Sequence, residues 1–310
     1  MIDTSELFKP PTSWEYPRYN TMTFEEYFYQ YYVRNLPTTK RKYLPVLWSN
    51  FYYKRHFRSD GTKDLQDYLD QLDPAESYFT VVVYDGGIHE VVNHLDLKVF
   101  SSVGDTISIN PLTHKGNLGD RAIPLVCMPS PTINRNRQRD VLAGFIGGRT
   151  HPLREILWDT LSEEEGFVLG KSIINPNMGF QIMDDKKWAA VNYEQFQDLM
   201  EHNVFALCPR GSSTTSFRIC ESLQYGAVPV YISDKFWFPW SNPKDPSDHG
   251  IFDQIGLTCL PEEIPDLSKR LREIPQSRID DYLQAGKEIY KTHFTLEACA
   301  KRIIDEVNQE

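Results

Sequence analysis

Residues 203–239 read NVFALCPRGSSTTSFRICESLQYGAVPVYISDKFWFP, in which an apolar strand, a turn of small residues, a helix and a second apolar strand follow one another directly. The strand, 204–208, has no polar interruption, as expected of a parallel strand covered on both faces. It runs into Pro209-Arg210-Gly211-Ser212-Ser213-Thr214-Thr215-Ser216, and a helix opens at once. Small and hydroxylated residues let a backbone approach a ligand closely, and the first turn of a helix leaves N–H groups without intrahelical partners. Such a turn binds anions: the helix dipole favours negative charge there, and Arg210 and Arg218 add charge-assisted bonds. Within the helix Ile219, Cys220 and Leu223 share one side, whereas Arg218 and Glu221, three residues apart, project together from another. That pair reads either as a surface ion pair worth about 0.2–0.5 kcal/mol or as a ligand clamp. In the clamp, Arg218 meets phosphate oxygens and Glu221 accepts hydrogen bonds from the two hydroxyls of a ribose. Gly226 ends the helix, and residues 227–232 form the next buried strand, which stops at Ser233-Asp234.

Outward from this segment the alternation continues. Strands are predicted over 141–146, 166–169, 204–208 and 228–232, with helices over 152–161, 193–202, 216–225, 265–274 and 296–307. The first half shows apolar runs at 43–48, 79–84, 106–109 and 122–128. An aromatic stretch from Thr23 reads as a helix with Thr23 as its cap, and its rings fit core packing better than a stacking platform for sugars or bases. The fold class is therefore α/β, two Rossmann-like doubly wound domains facing across a cleft, with ligands outside the carboxyl ends of the strands. A polar and basic loop at 129–140 marks the boundary. It gives an N-terminal domain 1–140, a C-terminal domain 141–290, and a terminal helix at 291–310 packing back across the domains.

Composition narrows the function. The 310 residues hold 33 basic and 43 acidic side chains, a net charge of −10; residues 1–150 carry 17 of each sign, so the deficit lies wholly in 151–310. Neither half offers the basic field that phosphate neutralisation on nucleic acid requires, so no nucleic-acid partner is expected. The five cysteines are scattered without a C-x-x-C pair and read as reduced core thiols. With no basic and apolar leader and no run of about 18 apolar residues, no membrane span is expected and the chain reads as soluble and cytoplasmic. No acidic D-x-D loop stands out: Asp96-Leu97-Lys98 has one acid, and Asp184-Asp185 precedes two lysines. His89 and His94, five apart, lack a helical metal-pair spacing, so no metal is expected.

Together these residues resemble the exostosin-like glycosyltransferases. Pro209-Arg210-Gly211, Ser216-Phe217-Arg218-Ile219-Cys220-Glu221-Ser222-Leu223, Gly226, Val228-Pro229-Val230, Asp234 and Phe238-Pro239-Trp240 follow that family's ordered C-terminal pattern. Gly144-Phe145-Ile146-Gly147-Gly148-Arg149 with Arg154 is similar to its strand-Gly-x-Arg turn, and Gly86-Gly87-Ile88-His89 to its N-terminal Gly-Gly-x-x-His turn. The resemblance implies the GT-B architecture, a UDP-sugar donor on the C-terminal domain, a glycan or oligosaccharide acceptor on the N-terminal one, inversion at the anomeric carbon, and no metal or other cofactor. It places Arg149, Arg210, Gly211, Ser212, Ser216, Phe217, Arg218, Glu221 and Asp234 on the nucleotide sugar. Arg149, Arg210 and Arg218 would carry the charge that grows on the leaving diphosphate. Asp85 and His89, at a strand end, are the candidate bases for the acceptor hydroxyl; Asp85 before Gly86-Gly87 is also ordinary turn chemistry. Trp237 and Trp240 suit a sugar face or a core equally. Xylose or galactose is the expected sugar. Arg218→Ala is expected to abolish transfer and leave the fold intact. A glycosidase is disfavoured, because its two carboxylates need no phosphate clamp. A GDP-sugar transferase and a non-catalytic sugar-binding scaffold remain as alternatives.

Overall fold

The computed structural model describes residues 23–55, 63–88, 94–103, 119–127, 129–130, 133–134, 137–171 and 186–309. His89, Asp184, Asp185 and the apolar run 106–109 lie outside them.

Two compact units form. The first begins with helix α1, Phe24–Asn35. Thr23 Oγ1 accepts from Glu26 N (3.3 Å) while the Glu26 carboxylate accepts from Thr23 N (2.6 Å), a reciprocal cap that satisfies two backbone donors. Phe24 and Phe28 are buried, and Phe28 meets Phe79 edge-on at 6.1 Å, so the aromatic stripe packs inward as core. A parallel sheet follows in the order β1-β2-β3-β4: β1 Lys42–Tyr43, β2 Ser77–Val82, β3 Asp96–Ser101 and β4 Arg121–Ala122. Helices α2, Trp48–Arg55, and α3, Lys63–Leu69, lie between β1 and β2 in the chain. Asp96-Leu97-Lys98 is thus strand rather than loop; β3 is flanked by two parallel neighbours and its last three residues are buried. Leu44, Trp48, Leu65, Val82 and Val99 share the core beneath.

The second unit carries the segment quoted first. Its five parallel strands are β5 Val141–Gly147, β6 Phe167–Lys171, β7 Asn203–Pro209, β8 Val228–Ile232 and β9 Leu257–Cys259, ordered β6-β5-β7-β8-β9. Helices α4 Pro152–Leu161, α5 Lys186–His202 and α6 Phe217–Tyr225 connect the first four in succession; α7 Leu267–Arg272 and α8 Gln276–Ile289 follow the fifth. Every residue of β8 is buried, and Phe145, Leu157, Leu207, Val230 and Ile232 lie in one core. A Cβ on Gly144 would sit 2.7 Å from Leu199 Cδ1, so glycine lets α5 close on β5. Strand order reverses between β5 and β7, whose carboxyl ends lead into Gly148-Arg149 and Arg210-Gly211. In an open parallel sheet that reversal leaves a crevice for ligand.

The units are cut differently from the sequence reading. Unit one comprises residues 1–128, 237–251 and 292–310, and unit two 129–236 and 252–291. The loop at 129–140 joins the second unit because Ser130 N donates to Gln224 Oε1 (3.1 Å), Asn134 N to Glu201 Oε1 (2.8 Å), and Arg139 to the Asn203 and Tyr225 carbonyls. Residues 237–251 join the first because Trp240 N donates to Ala122 O (2.8 Å) and Ala122 N to Ser241 O (3.1 Å). Helix α9, Leu296–Asn308, joins it too, with Glu306 held by Arg121 at 2.7 Å. Among the described residues no helix is long and apolar enough to cross a membrane.

Candidate functional site

Helix α6 starts where the sequence places it. Ser216, extended at φ −143°, ψ 131°, accepts from Arg218 N through Oγ (3.3 Å), and Gly226 closes the helix at φ 70° with its N–H on Leu223 O. The turn before it is built from inside. Arg210 is 1% exposed; its Nη1 pairs with Asp234 and its Nε donates to Ser213 O (3.2 Å). Tyr231 Oη donates to Thr214 O (2.6 Å), and Ser213 and Thr215 share a hydroxyl bond of 3.1 Å. Arg210 therefore holds the loop from within the fold. Burial raises the Asp234 carboxyl, but the bond and charge of Arg210 outweigh this and hold it below the usual carboxylate range.

Arg218 lies across the crevice. Its Nη2 donates to Ile146 O at the end of β5 (2.8 Å), its guanidinium stacks 4.2 Å from the Phe196 ring and 5.7 Å from Phe145, and Nη1 is 3.3 Å from Glu221. The i,i+3 pair exists, and both side chains are largely buried, at 13% and 14% exposure, so it is not a solvated surface pair. Arg218 Nε and Nη1 nonetheless have no hydrogen-bond acceptor, and neither does the buried Thr214 Oγ1 find a partner. Buried polar groups in native proteins are satisfied by protein, water or ligand, so these orphans mark a place for one.

Two further residues emerge at the end of β5. Arg154 staples the strand ends: Nε donates to Arg210 O (2.9 Å), Nη1 to Gly148 O (2.9 Å) and Nη2 to Pro209 O (3.2 Å). His151 caps α4, its Nδ1 accepting from Leu153 N (3.2 Å) ahead of Pro152 at the first helical position. Burial, then the nearby Arg210 charge, keeps its imidazole below the ordinary pKa and hence neutral at pH 7. The signal for this cap is a His-Pro pair with three residues between it and the preceding strand. Arg149 is exposed and engaged by Glu155, with Nη2 to Oε2 at 3.1 Å.

The switch point thus gathers Arg210, Gly211, Ser212, Ser216, Phe217, Arg218 and Glu221 on one strand-turn-helix, with Arg149 after β5 and Asp234 after β8. Asp85 belongs to the first unit, in a turn past β2 closed by Gly87 N on Tyr84 O (2.9 Å). Trp237 and Trp240 are buried there, donating to Ser101 O (2.9 Å) and His293 O (3.3 Å); of the two readings, core packing holds for both. Among the described residues no three His, Cys, Asp or Glu side chains gather as a metal site.

Comparison with known proteins covers much of this ground. The Exostosin GT47 domain model matches residues 43–252. An exostosin-1 homolog of Caenorhabditis elegans is 30% identical over 143 residues, 43% of this chain and 37% of that protein. The probable glycosyltransferase At3g07620 of Arabidopsis thaliana is 27% identical over 192 residues, 60% of this chain and 37% of that one. A probable glucuronosyltransferase of Oryza sativa, Os02g0520750, is 35% identical over 85 residues, 27% of this chain and 18% of its own length. Among solved structures, TarM superposes over 83% of this chain and 57% of its own with a TM-score of 0.39 and 13% identity. The match thus spans well under half of these curated relatives. With the family model extending from β1 to β8 and over the turn that precedes α6, the chain belongs to the exostosin GT47 family of glycosyltransferases.

Proposed function

We propose that this chain transfers a sugar from a UDP-sugar to a hydroxyl of a glycan or oligosaccharide, with inversion and without a bound metal. The observation that supports it most is the set of unpartnered donors of Arg218 and Thr214 at the β5/β7 reversal, beside the N-terminus of α6. A diphosphate there meets a helix dipole and a guanidinium already fixed by Ile146 and Phe196. Glu221, held against Arg218, is suited to accept from ribose hydroxyls. The second unit is then the donor domain and the first the acceptor domain.

In the reaction the acceptor oxygen bonds to the anomeric carbon while the bond from that carbon to the diphosphate oxygen breaks. UDP leaves with the electron pair, and the acceptor proton passes to a base, Asp85 or His89. Cations already in place stabilise the growing negative charge without reorganising during the step. Arg218 supplies this directly; Arg210 acts through the loop it holds. Xylose and galactose remain the donors proposed first. The rice relative's name adds glucuronic acid to the screen.

The test is turnover. The chain is incubated with UDP-xylose, UDP-galactose and UDP-glucuronic acid, with sugar acceptors, in EDTA, and product is read by mass. Transfer that survives EDTA supports the proposal. UDP binding with neither transfer nor donor hydrolysis for any sugar would favour the scaffold reading, and GDP binding in place of UDP would favour the other transferase class.

A further inference from the structure

Resting on that donor-site reading, we propose that His151 is a further ligand-binding residue of this site, donating Nε2–H to an oxygen of the diphosphate. The tautomer follows from the cap. Nδ1 accepts from Leu153 N at 3.2 Å, so in the neutral ring the proton sits on Nε2. That Nε2 is buried and has no hydrogen-bond partner. An amide or imidazole N–H left buried without an acceptor is destabilising, so its persistence calls for an acceptor from outside the chain.

Placement identifies that acceptor as an anion. His151 follows β5, immediately beyond Gly148, Arg149 and Thr150, on the side of the sheet where the strand order reverses. Thr150 Oγ1 would lie 3.4 Å from a Cβ on Gly211, which brings this loop against the turn that precedes α6. The charges that act on the ring are Arg210, Asp234 and Arg154, and the first two already pair with each other. The unpartnered Thr214 Oγ1 and Arg218 Nε belong to the same turn and helix. Three side chains, one from the loop after β5 and two from the turn and helix after β7, therefore each carry an unmet polar group near the reversal, and a diphosphate is the ligand with enough oxygens for all. The base and ribose of the nucleotide need no contact with His151 in this arrangement.

The experiment uses the full chain and the variant His151→Asn. Asparagine keeps a cap acceptor for Leu153 N but is too short to reach the Nε2 position. UDP affinity is read by calorimetry, and uridine affinity by ligand-detected NMR. UDP is expected to bind roughly tenfold or more weakly to the variant, since the lost bond is to a charged acceptor. Uridine binding and the melting temperature stay as in the parent. Unchanged UDP affinity, or equal weakening of UDP and uridine, would overturn the assignment. If Arg218→Ala loses UDP while His151→Asn does not, the donor site stands and His151 is excluded from it. If the parent chain fails to bind UDP at all, the donor-site reading falls and takes this one with it.

Discussion

Arg218 does two jobs, and the sequence shows one. Its spacing from Glu221 was enough to make it a phosphate candidate, but its stacking on Phe196 and its bond to Ile146 O come from elements 22 and 72 residues away. Those contacts revise the expectation that Arg218→Ala leaves the fold intact. Losing the stack and the bond to the Ile146 carbonyl should cost about 1–3 kcal/mol, seen as a lowered melting temperature. If the guanidinium stabilises the leaving group, transfer falls a further ten- to a hundredfold or so, about 1.5–3 kcal/mol, in the fraction that remains folded. Arg218→Lys keeps charge and loses the planar stack, so it should retain more activity than alanine; equal loss in both would argue against a charge role. Glu25 gives a second prediction at this scale. It is fully buried, accepting from Val83 N (2.6 Å), Ser49 N (2.9 Å) and Ser49 Oγ (3.0 Å), which ties α1 and α2 to the end of β2. Burial pushes its carboxyl up to about 7, against the lowering pull of those bonds. A carboxyl raised on folding stabilises fully below its unfolded pKa, near 4.5, and that stability fades as pH climbs to about 7, by roughly 3 kcal/mol in all. Melting of the parent chain should therefore fall between pH 4.5 and 7 relative to Glu25→Gln, whose amide does not titrate. Parallel pH profiles for the two would contradict this. Both Glu25 and Glu26 are buried in the first turn of the helix; the Thr23-x-x-Glu26 spacing marks Glu26 as the cap partner, whereas nothing local marks Glu25 for Val83 and Ser49, which only the fold brings to it.

Elements were legible where period and caps agree. Helix α6 announces itself by Ser216 before it and Gly226 after it, and both caps form. Strand β3 did not, because Asp96 and Lys98 break the apolar run, and pairing on both sides with β2 and β4 outweighs that local signal. Helix α8 was missed as well: its buried positions, Ile279, Tyr282 and Gly286, are few and half hidden among polar neighbours. The caps of α6 allow function to be separated from folding. Gly226→Ala forces a Cβ into the left-handed region, 3.4 Å from Arg139 Nη2, and should destabilise by about 1–2 kcal/mol with little effect on UDP affinity. Ser216→Asp behaves in the opposite way. Aspartate caps as well as serine and favours the helix dipole, so the melting temperature holds. Its charge, however, occupies the place proposed for a phosphate, and UDP binding measured by calorimetry should drop at least tenfold, by roughly 1.4 kcal/mol or more. Retained UDP affinity in Ser216→Asp would place the nucleotide elsewhere.

The division of the whole chain was the least legible feature, because it rests on contacts far apart in sequence. Nothing local in residues 237–251 shows that Trp240 N will bond Ala122 O, or in 292–310 that Glu306 will meet Arg121. The parallel α/β class was readable, because uninterrupted apolar strands separated by helical patterns leave little besides such layers, although β3 and the short β9 were not. A consequence can be tested on the intact molecule. A ligand that binds the folded state and not the unfolded one stabilises by RT ln(1 + [L]/Kd), about 2.7 kcal/mol at a hundredfold excess over Kd. Hydrogen exchange resolves where that stabilisation appears, since amides open through local as well as global unfolding. With saturating UDP, protection should rise at the end of β5 and the start of α4, and from the end of β7 into α6, the segments that carry Arg149, His151, Arg210 and Arg218. Amides of β2 and β3, in the other unit, should change little until an acceptor sugar is added. Protection confined to β2 and β3, with none at the β5/β7 reversal, would assign the nucleotide to the wrong unit for every role argued above.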